Sequence, residues 1–493
     1  MTNKKVLKNS LIYTFNNILL KAFNFLLLPL YTAFLTTTDY GVTNLLASFS
    51  SVSTYIIAFS LYSAIIRFYA DYKQDPEKVK TFFGTIICFV FLSGCVFFIL
   101  ALLLRKVLSL FLFQGIDFYP SVFMALIALI FTSLYTLYQN ILKGMQEAKK
   151  SALVSISYFL LQVLLNIVFV AFLRWGANGV LLSLVISSTF ACIWMLIDLK
   201  RLHLVRFCID KTILKETLRY SIPIIPHNLS TQIAQFVSRV FINGTSSLAT
   251  VGLFSLASRF GSLADLIQSS VNAAFQPWFY EQMNKKGVDR EQIVELSNVL
   301  VWFYSFLFLC VGLFCQELIS LMASSQYQES WKLVPLIVIT FSIKTPYYFY
   351  INILFYYKKA SKYIFTATVS SSLVNVVLSY FLIKKYGMYG SVAADAISMV
   401  LRVGIIVLIA NKFTKIGYSL WYFIKLTVLT VLFLGVGLYF SYTRFASVLS
   451  LRNSLYKIVV LFVFLVIVYL SNKGSIKGTL EILKRKKAGK VNE

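Results

Sequence analysis

Histidine is nearly missing from this chain, with two in 493 residues. His203 falls in a polar connection and His227 opens an apolar stretch, where a structural role at a helix start suits it, so no metal-ligand cluster is expected. Acids are scarce as well, 19 against 46 Lys and Arg, and only Asp265 and Asp395 fall deep inside apolar segments. No GxxxxGK[ST] phosphate loop occurs, which argues against ATP hydrolysis by the chain itself. Of the six cysteines, Cys88, Cys95, Cys192, Cys310 and Cys315 lie in apolar stretches and Cys208 in a connection, so no disulfide framework is expected. These shortages point away from an enzyme, and no metal or cofactor is expected.

What the chain has is apolar length: it is 58% hydrophobic, 16% aromatic and only 13% charged. Runs long enough to cross a hydrocarbon core of about 30 Å recur throughout, and the sequence reads as an all-α polytopic membrane protein. About fourteen spans are expected, at 10–34, 43–66, 82–104, 121–142, 152–173, 178–199, 221–243, 250–280, 296–316, 333–357, 363–383, 389–410, 419–440 and 455–471. The net charge of +27 is concentrated in alternate connections, above all LKRLHLVRFCIDKTILKETLR and the tail EILKRKKAGK. That asymmetry follows the positive-inside rule, so both termini are expected in the cytoplasm. It also argues against nucleic acid as a partner; the tail suits anionic lipid headgroups or simply helps to fix topology. The basic start MTNKKVLK is similar to a signal-peptide opening, but the apolar run after it is too long, and it reads as a retained first helix.

Offsetting the sequence by 211 residues aligns its halves without a gap at several places. LKNS at 7–10 meets LRYS at 218–221, Tyr40-Gly41 meets Val251-Gly252, Phe68-Tyr69 meets Phe279-Tyr280, and RWGANG at 174–179 meets KYGMYG at 385–390. The expected plan is therefore two six-helix lobes, 1–205 and 206–415, then a helix pair in 416–472 and a basic cytoplasmic tail at 473–493. An even number of helices per half makes the repeats parallel, as in alternating-access transporters.

The first helix of each half carries a polar stripe in the same register: Tyr13, Asn17, Lys21 and Asn24 in one, Asn228, Gln232, Gln235 and Arg239 in the other. Spacings of three and four place each stripe on one helical face. A central Lys or Arg costs about 2.5–3.5 kcal/mol to insert, so these cations are expected to face an interior cavity rather than lipid. Pro29, Pro223 and Pro226 are placed to kink these helices. Arg259, Lys344, Arg402 and Lys425 are further embedded cations, with Lys425 equally suited to a headgroup or structural role. Two structural pairings compete with a substrate role: Asp265 can neutralise Arg259, and Asp395 shares a face with Arg402. Trp278, Tyr347, Tyr348 and Tyr350 are able to stack on sugars, although packing is the commoner use of so many aromatics.

The order and spacing of LIYTFNNILLKAFNFLLLPLYTAFLTTTDYG, RFYADY, YSIPIIPHNLS, VGLFSLASRF, WGANG and YGMYG resemble the Wzx-type polysaccharide repeat-unit flippases, within the multidrug, oligosaccharidyl-lipid and polysaccharide exporter superfamily that includes the MATE transporters. The resemblance implies two lobes around a central cavity in a bacterial cytoplasmic membrane. It implies movement of an undecaprenyl-pyrophosphate-linked oligosaccharide to the outer leaflet, with membrane lipids, a polysaccharide polymerase and assembly proteins as partners. Asn17, Lys21, Asn24, Asn228, Gln232, Gln235, Arg239, Arg259 and Lys344 are then the expected substrate-binding residues, and Asp265 and Asp395 the candidates for ion coupling. The last helix pair resembles that of lipid II flippases, where it helps to form a groove for the lipid tail. Many relatives carry Asp-Arg where this chain has Ser238-Arg239, which weakens any mechanism needing a carboxylate there.

A multidrug exporter of the same superfamily is the alternative, but a cavity for cationic drugs should be acidic or neutral. A sugar transporter of the major facilitator class would carry a Gly-, Asp- and Arg-rich loop where this chain has RFYADYKQDPEKVK. A membrane polymerase would show a long acidic external loop, and RKVLSLFLFQGIDFYP has a single acid. The energy source stays open between ion coupling and the substrate's own gradient.

Overall fold

The computed structural model describes residues 3–285, 287–357, 360, 362–446 and 449–471. The basic tail at 473–493 lies outside them. The chain divides into two compact units, 1–252 and 253–493.

Unit 1 begins with α1 (Asn3–Leu26) and α2 (Leu28–Phe34), which share the first expected span. Pro29 sits in the opening turn of α2, where its missing N–H disturbs the helix least, and the break falls at Leu27. Next comes α3 (Thr37–Ile57), started by a capping box: the Thr36 hydroxyl accepts the Asp39 N–H at 3.1 Å and the Asp39 carboxylate accepts the Thr36 N–H at 3.1 Å. It leads into α4 (Leu61–Tyr72) through a 43° bend. Phe59 and Ser60 take left-handed φ values of 47° and 55° at that bend, a region side chains other than glycine seldom adopt. Then follow α5 (Pro76–Leu103), α6 (Arg105–Phe111), α7 (Phe123–Gly144), α8 (Ala148–Asn166), α9 (Gly176–Arg201), α10 (Lys211–Ser221), α11 (Ile225–Thr245) and the first turn of α12 (Leu248–Met283). Helix α7 is the hub, packed against α3, α4, α5, α8 and α9. Leu61, Ile65, Phe82, Phe83, Leu137, Ile141 and Met195 fill the core there.

Unit 2 holds the rest of α12, then α13 (Arg290–Leu313), α14 (Cys315–Met322), α15 (Val334–Tyr356), α16 (Lys362–Tyr386), α17 (Met388–Phe413), α18 (Leu420–Thr443) and α19 (Leu451–Ser471). Its hub is α15, packed on α13, α17 and α18, while α16 lies on α17, and α19 lies on α13 and α18. In lipid an apolar exterior gives no reason for helices to associate, so close packing and interhelical hydrogen bonds must fix these contacts. Large apolar side chains accordingly face outward, among them Leu103, Phe172, Trp421 and Leu470.

Helix covers each of the fourteen expected spans. Among the described residues eleven helices are long and apolar enough to cross a membrane alone, and the bent pair α3–α4 makes a twelfth. Helices α11 and α12 also have the length, but Asn228, Gln232, Gln235 and Arg239 in one and Arg259 and Asp265 in the other dilute their apolar character. Pro223 lies in a short 3-10 turn, Ile222–Ile224, and Pro226 in the first turn of α11, so they open that helix rather than kink its middle.

The repeat is visible in the backbone. Gly176 and Gly387, equivalent under the 211-residue offset, both take positive φ, 53° and 56°, just where α9 and α17 begin. In each half the fourth helix is the hub and packs on the sixth, and the fifth packs on the sixth. Phe68 and Phe279 are both buried. Within unit 1, Gly41 of α3 abuts the opening turn of α12. A Cβ on Gly41 would collide with the Leu248 carbonyl, and one on Gly252 with the Thr37 carbonyl. Gly41 and Gly252 are repeat equivalents, and so are Thr37 and Leu248.

Candidate functional site

Helix α1 has two polar faces rather than one. Asn16 is buried and donates from Nδ2 to Ser155 Oγ of α8 at 2.9 Å, and Phe23 stacks on Phe159 with ring centroids 5.8 Å apart. At 100° per residue, Lys21 lies about 140° around the helix from Asn16, so it points away from α8. Lys21 is exposed and has no hydrogen bond or ion pair among the described residues. Asn24 is exposed too, and its Nδ2 donates to the Leu20 carbonyl one turn back at 2.9 Å. Asn17 belongs to the same helix, its side chain outside what the structure describes.

Helix α11 packs on α3 through Phe236, whose ring centroid is 5.8 Å from that of Phe49. Asn243 fastens the end of α11 by donating to the Gln114 carbonyl at 2.8 Å. Gln232 and Arg239 flank this buried face and are half-buried, and Gln235 is exposed. Arg239 donates from Nη1 to the Gln235 carbonyl at 2.9 Å, and Asn228 Nδ2 lies 3.5 Å from Ser60 Oγ at the α3–α4 bend. The four stripe residues thus run along one side of α11, beside α3.

Unit 2 gathers a different set. Lys344 on α15 donates from Nζ to Asp265 Oδ1 on α12 at 2.7 Å, and Tyr348, one turn along α15, donates its hydroxyl to the same oxygen at 2.9 Å. The ammonium sits 4.9 Å from the Tyr348 ring centroid, within cation–π range. Asp265 therefore has Lys344 as its salt-bridge partner, where the sequence suggested Arg259. The reason is reach: Asp265 meets α15 directly across the helix pair, whereas Arg259 is six residues away on its own helix, about 120° around it. Arg259 is half-buried on α12. Arg402 on α17 donates from Nε to Ser371 Oγ at 2.8 Å and from Nη2 to Ser372 Oγ at 3.3 Å. Asp395 is exposed and accepts from Asn375 Nδ2 at 2.7 Å. Both members of the suggested Asp395–Arg402 pair are thus hydrogen-bonded by α16. Tyr350 is buried and donates to the Tyr418 carbonyl at 3.4 Å, a packing role; Tyr347 and Trp278 are half-buried.

Sequence reasoning missed two charge clusters. In unit 1, Asp198 of α9 accepts from Tyr138 of α7 at 2.6 Å and from Lys150 of α8 at 2.8 Å, tying three helices at one end. In unit 2, Lys457 of α19 is fully buried and donates to both Glu317 oxygens on α14, at 2.8 and 2.9 Å. Ser454 also donates to Glu317, at 3.0 Å. Each acid stands at the edge of an expected span, where it reads as loop. The available signal was a matching cation at the edge of another span.

With this geometry in place, comparison with known proteins is informative. A sequence model described as "polysaccharide biosynthesis protein" matches residues 6–283. Protein 1 of the Lsg locus of Haemophilus influenzae is 23% identical over 392 residues, covering 76% of this chain and 90% of that protein. Among solved structures, the lipid II flippase MurJ in an inward closed conformation superposes with a TM-score of 0.68 at 16% identity, covering 94% of this chain and 99% of that one. An inward-facing multidrug resistance transporter of the MATE family, in the MOP superfamily, gives 0.60 at 15% identity, covering 83% and 96%. The fold is therefore the MOP fold, as the sequence suggested, and the chain is a multi-pass membrane protein.

Proposed function

Because this chain belongs to the polysaccharide biosynthesis protein family, we propose that it is a flippase moving undecaprenyl-pyrophosphate-linked oligosaccharide repeat units from the inner to the outer leaflet of a bacterial cytoplasmic membrane. It works by alternating access and serves assembly of a surface polysaccharide such as capsule, exopolysaccharide, O-antigen or teichoic acid. The observation that supports this reading is the pair of amide-and-cation stripes on α1 and α11, set at the same repeat register.

A pyrophosphate brings about two negative charges, and an isolated ion cannot enter a low-dielectric core without compensation. Lys21 and Arg239 supply positive charge, and Arg can bind phosphate bidentately. Asn17, Asn24, Asn228, Gln232 and Gln235 offer donors and acceptors to phosphate or sugar hydroxyls. Helices α18 and α19 follow the two expected six-helix lobes, and the MurJ structure covers more of this chain than the MATE structure does. That supports an extra groove for the lipid tail.

Deleting the gene and measuring lipid-linked oligosaccharide in each leaflet tests the reading. Accumulation in the inner leaflet with loss of surface polymer is expected; unchanged sidedness with normal polymer rejects it. The MATE likeness keeps a multidrug exporter as the second reading, and export of cationic dyes by the purified, reconstituted chain would favour it.

A further inference from the structure

We propose that Asp265 is a resident counter-ion for Lys344, and that a phosphate or pyrophosphate group of the substrate takes its place on the ammonium. This inference rests on the flippase reading and identifies one point at which the substrate's charge is received.

Lys344 is 15% exposed, and a cation that far out of water is destabilising unless an anion meets it. A transporter's anion site must nevertheless be empty for part of every cycle. Asp265 resolves that conflict by holding the ammonium at 2.7 Å while no substrate is bound. The bond is suited to exchange rather than permanence in three respects. Asp265 is 31% exposed, so the carboxylate can rehydrate once released. Both its bonds, from Lys344 and Tyr348, fall on Oδ1, so the Tyr348 hydroxyl still holds the carboxylate after the ammonium leaves. The ammonium has three donors, and two find no acceptor among the described residues, so they are able to take phosphate oxygens before the carboxylate departs.

The neighbours fit the same use. The Tyr348 ring under the ammonium holds it electrostatically whichever anion is present. Tyr347 adjoins Tyr348, with ring centroids 5.8 Å apart, and lies in the fields of both Asp265 and Arg402. Arg402 donates to the neutral hydroxyls of Ser371 and Ser372 and has donors to spare. Contrast Lys457 and Glu317: there the ammonium is fully buried and engages both carboxylate oxygens, as a permanent bond would.

The test uses the full chain purified in detergent, with inorganic pyrophosphate and farnesyl pyrophosphate as probes and farnesol as the uncharged control. Binding is read by calorimetry, and melting temperature without ligand is recorded for every variant. Asp265→Asn removes the competing charge while keeping shape and the Tyr348 bond, so it is expected to bind both probes about tenfold more tightly than wild type. Lys344→Gln is expected to lose about tenfold or more, and Lys344→Arg to bind like wild type, with farnesol unaffected throughout. Wild-type or weaker affinity in Asp265→Asn at an unchanged melting temperature overturns the proposal, as does undiminished binding by Lys344→Gln. If Asp265→Asn melts early, Asp265→Ser is expected to bind both probes more tightly than wild type, and wild-type or weaker binding by it, or undiminished binding by Lys344→Gln, overturns the proposal. Failure here leaves the leaflet sidedness after gene deletion untouched, whereas failure of the flippase reading appears in that measurement whatever the variants bind.

Discussion

Lys21 places a charge near the middle of the first expected span, 10–34. Facing lipid, it would cost about 2.5–3.5 kcal/mol on insertion scales. As a partner for substrate phosphate it gains a charge-assisted bond instead. Lys21→Ala and Arg239→Ala, expressed at normal levels, are therefore each expected to lower export of lipid-linked oligosaccharide by about tenfold or more, with Lys21→Arg retaining most of it. Leaflet-resolved measurement of the lipid-linked sugar checks this, and wild-type export by both alanine variants would remove the cations from the substrate path. At this scale the sequence was informative where periodicity repeats and silent where contacts cross helices. Spacing identified the α1 and α11 stripes. It did not separate Asn16, which is fastened to Ser155, from Lys21, which is exposed. Nor did it pair Asp265 with Lys344 across 79 residues of chain, because that meeting depends on how α12 and α15 pack.

Helix contacts in this protein rest on two kinds of joint, one charged and one bare. The most buried charged joint among the described residues is Lys457 with Glu317, which anchors α19 to α14. Removing one partner strands a buried charge, so Lys457→Met is expected to destabilise by about 3 kcal/mol. The double change with Glu317→Gln should recover part of that, read as melting temperature in detergent. The bare joint is Gly41 with the opening of α12. Gly252→Ala forces a methyl into the Thr37 carbonyl, and overpacking of this kind costs about 1–3 kcal/mol. Gly404→Ala in α17 meets nothing within 4 Å and, with better helix propensity, is expected to melt no earlier than wild type. Helix positions were legible because long apolar runs admit few alternatives. Breaks at Leu27 and at Phe59-Ser60 were less so: a proline marks the first, and no residue type marks the second.

Across the whole molecule, the expected even number of spans would put both termini on one side, and the excess of Lys and Arg in alternate connections leads us to propose that this side is the cytoplasm. Reporter fusions after Phe413 and after Ser471 should both report a cytoplasmic position. A phosphatase active at either site would change the span count. The repeat was legible because its glycines were kept in register, and the structure explains why at two sites: Gly176 and Gly387 need positive φ, and Gly41 and Gly252 need the absence of a side chain. The contact between those last two has a further consequence. Gly41 meets Leu248 while Gly252 meets Thr37, each residue contacting the repeat equivalent of its own neighbour. That is an isologous contact, one patch meeting a copy of itself, as at the two-fold axis of a homodimer. In a pair of identical copies, a side chain on that glycine would strike the joint twice. In the present chain each copy can be altered separately, and the joint can be tuned in half-steps that no true dimer permits.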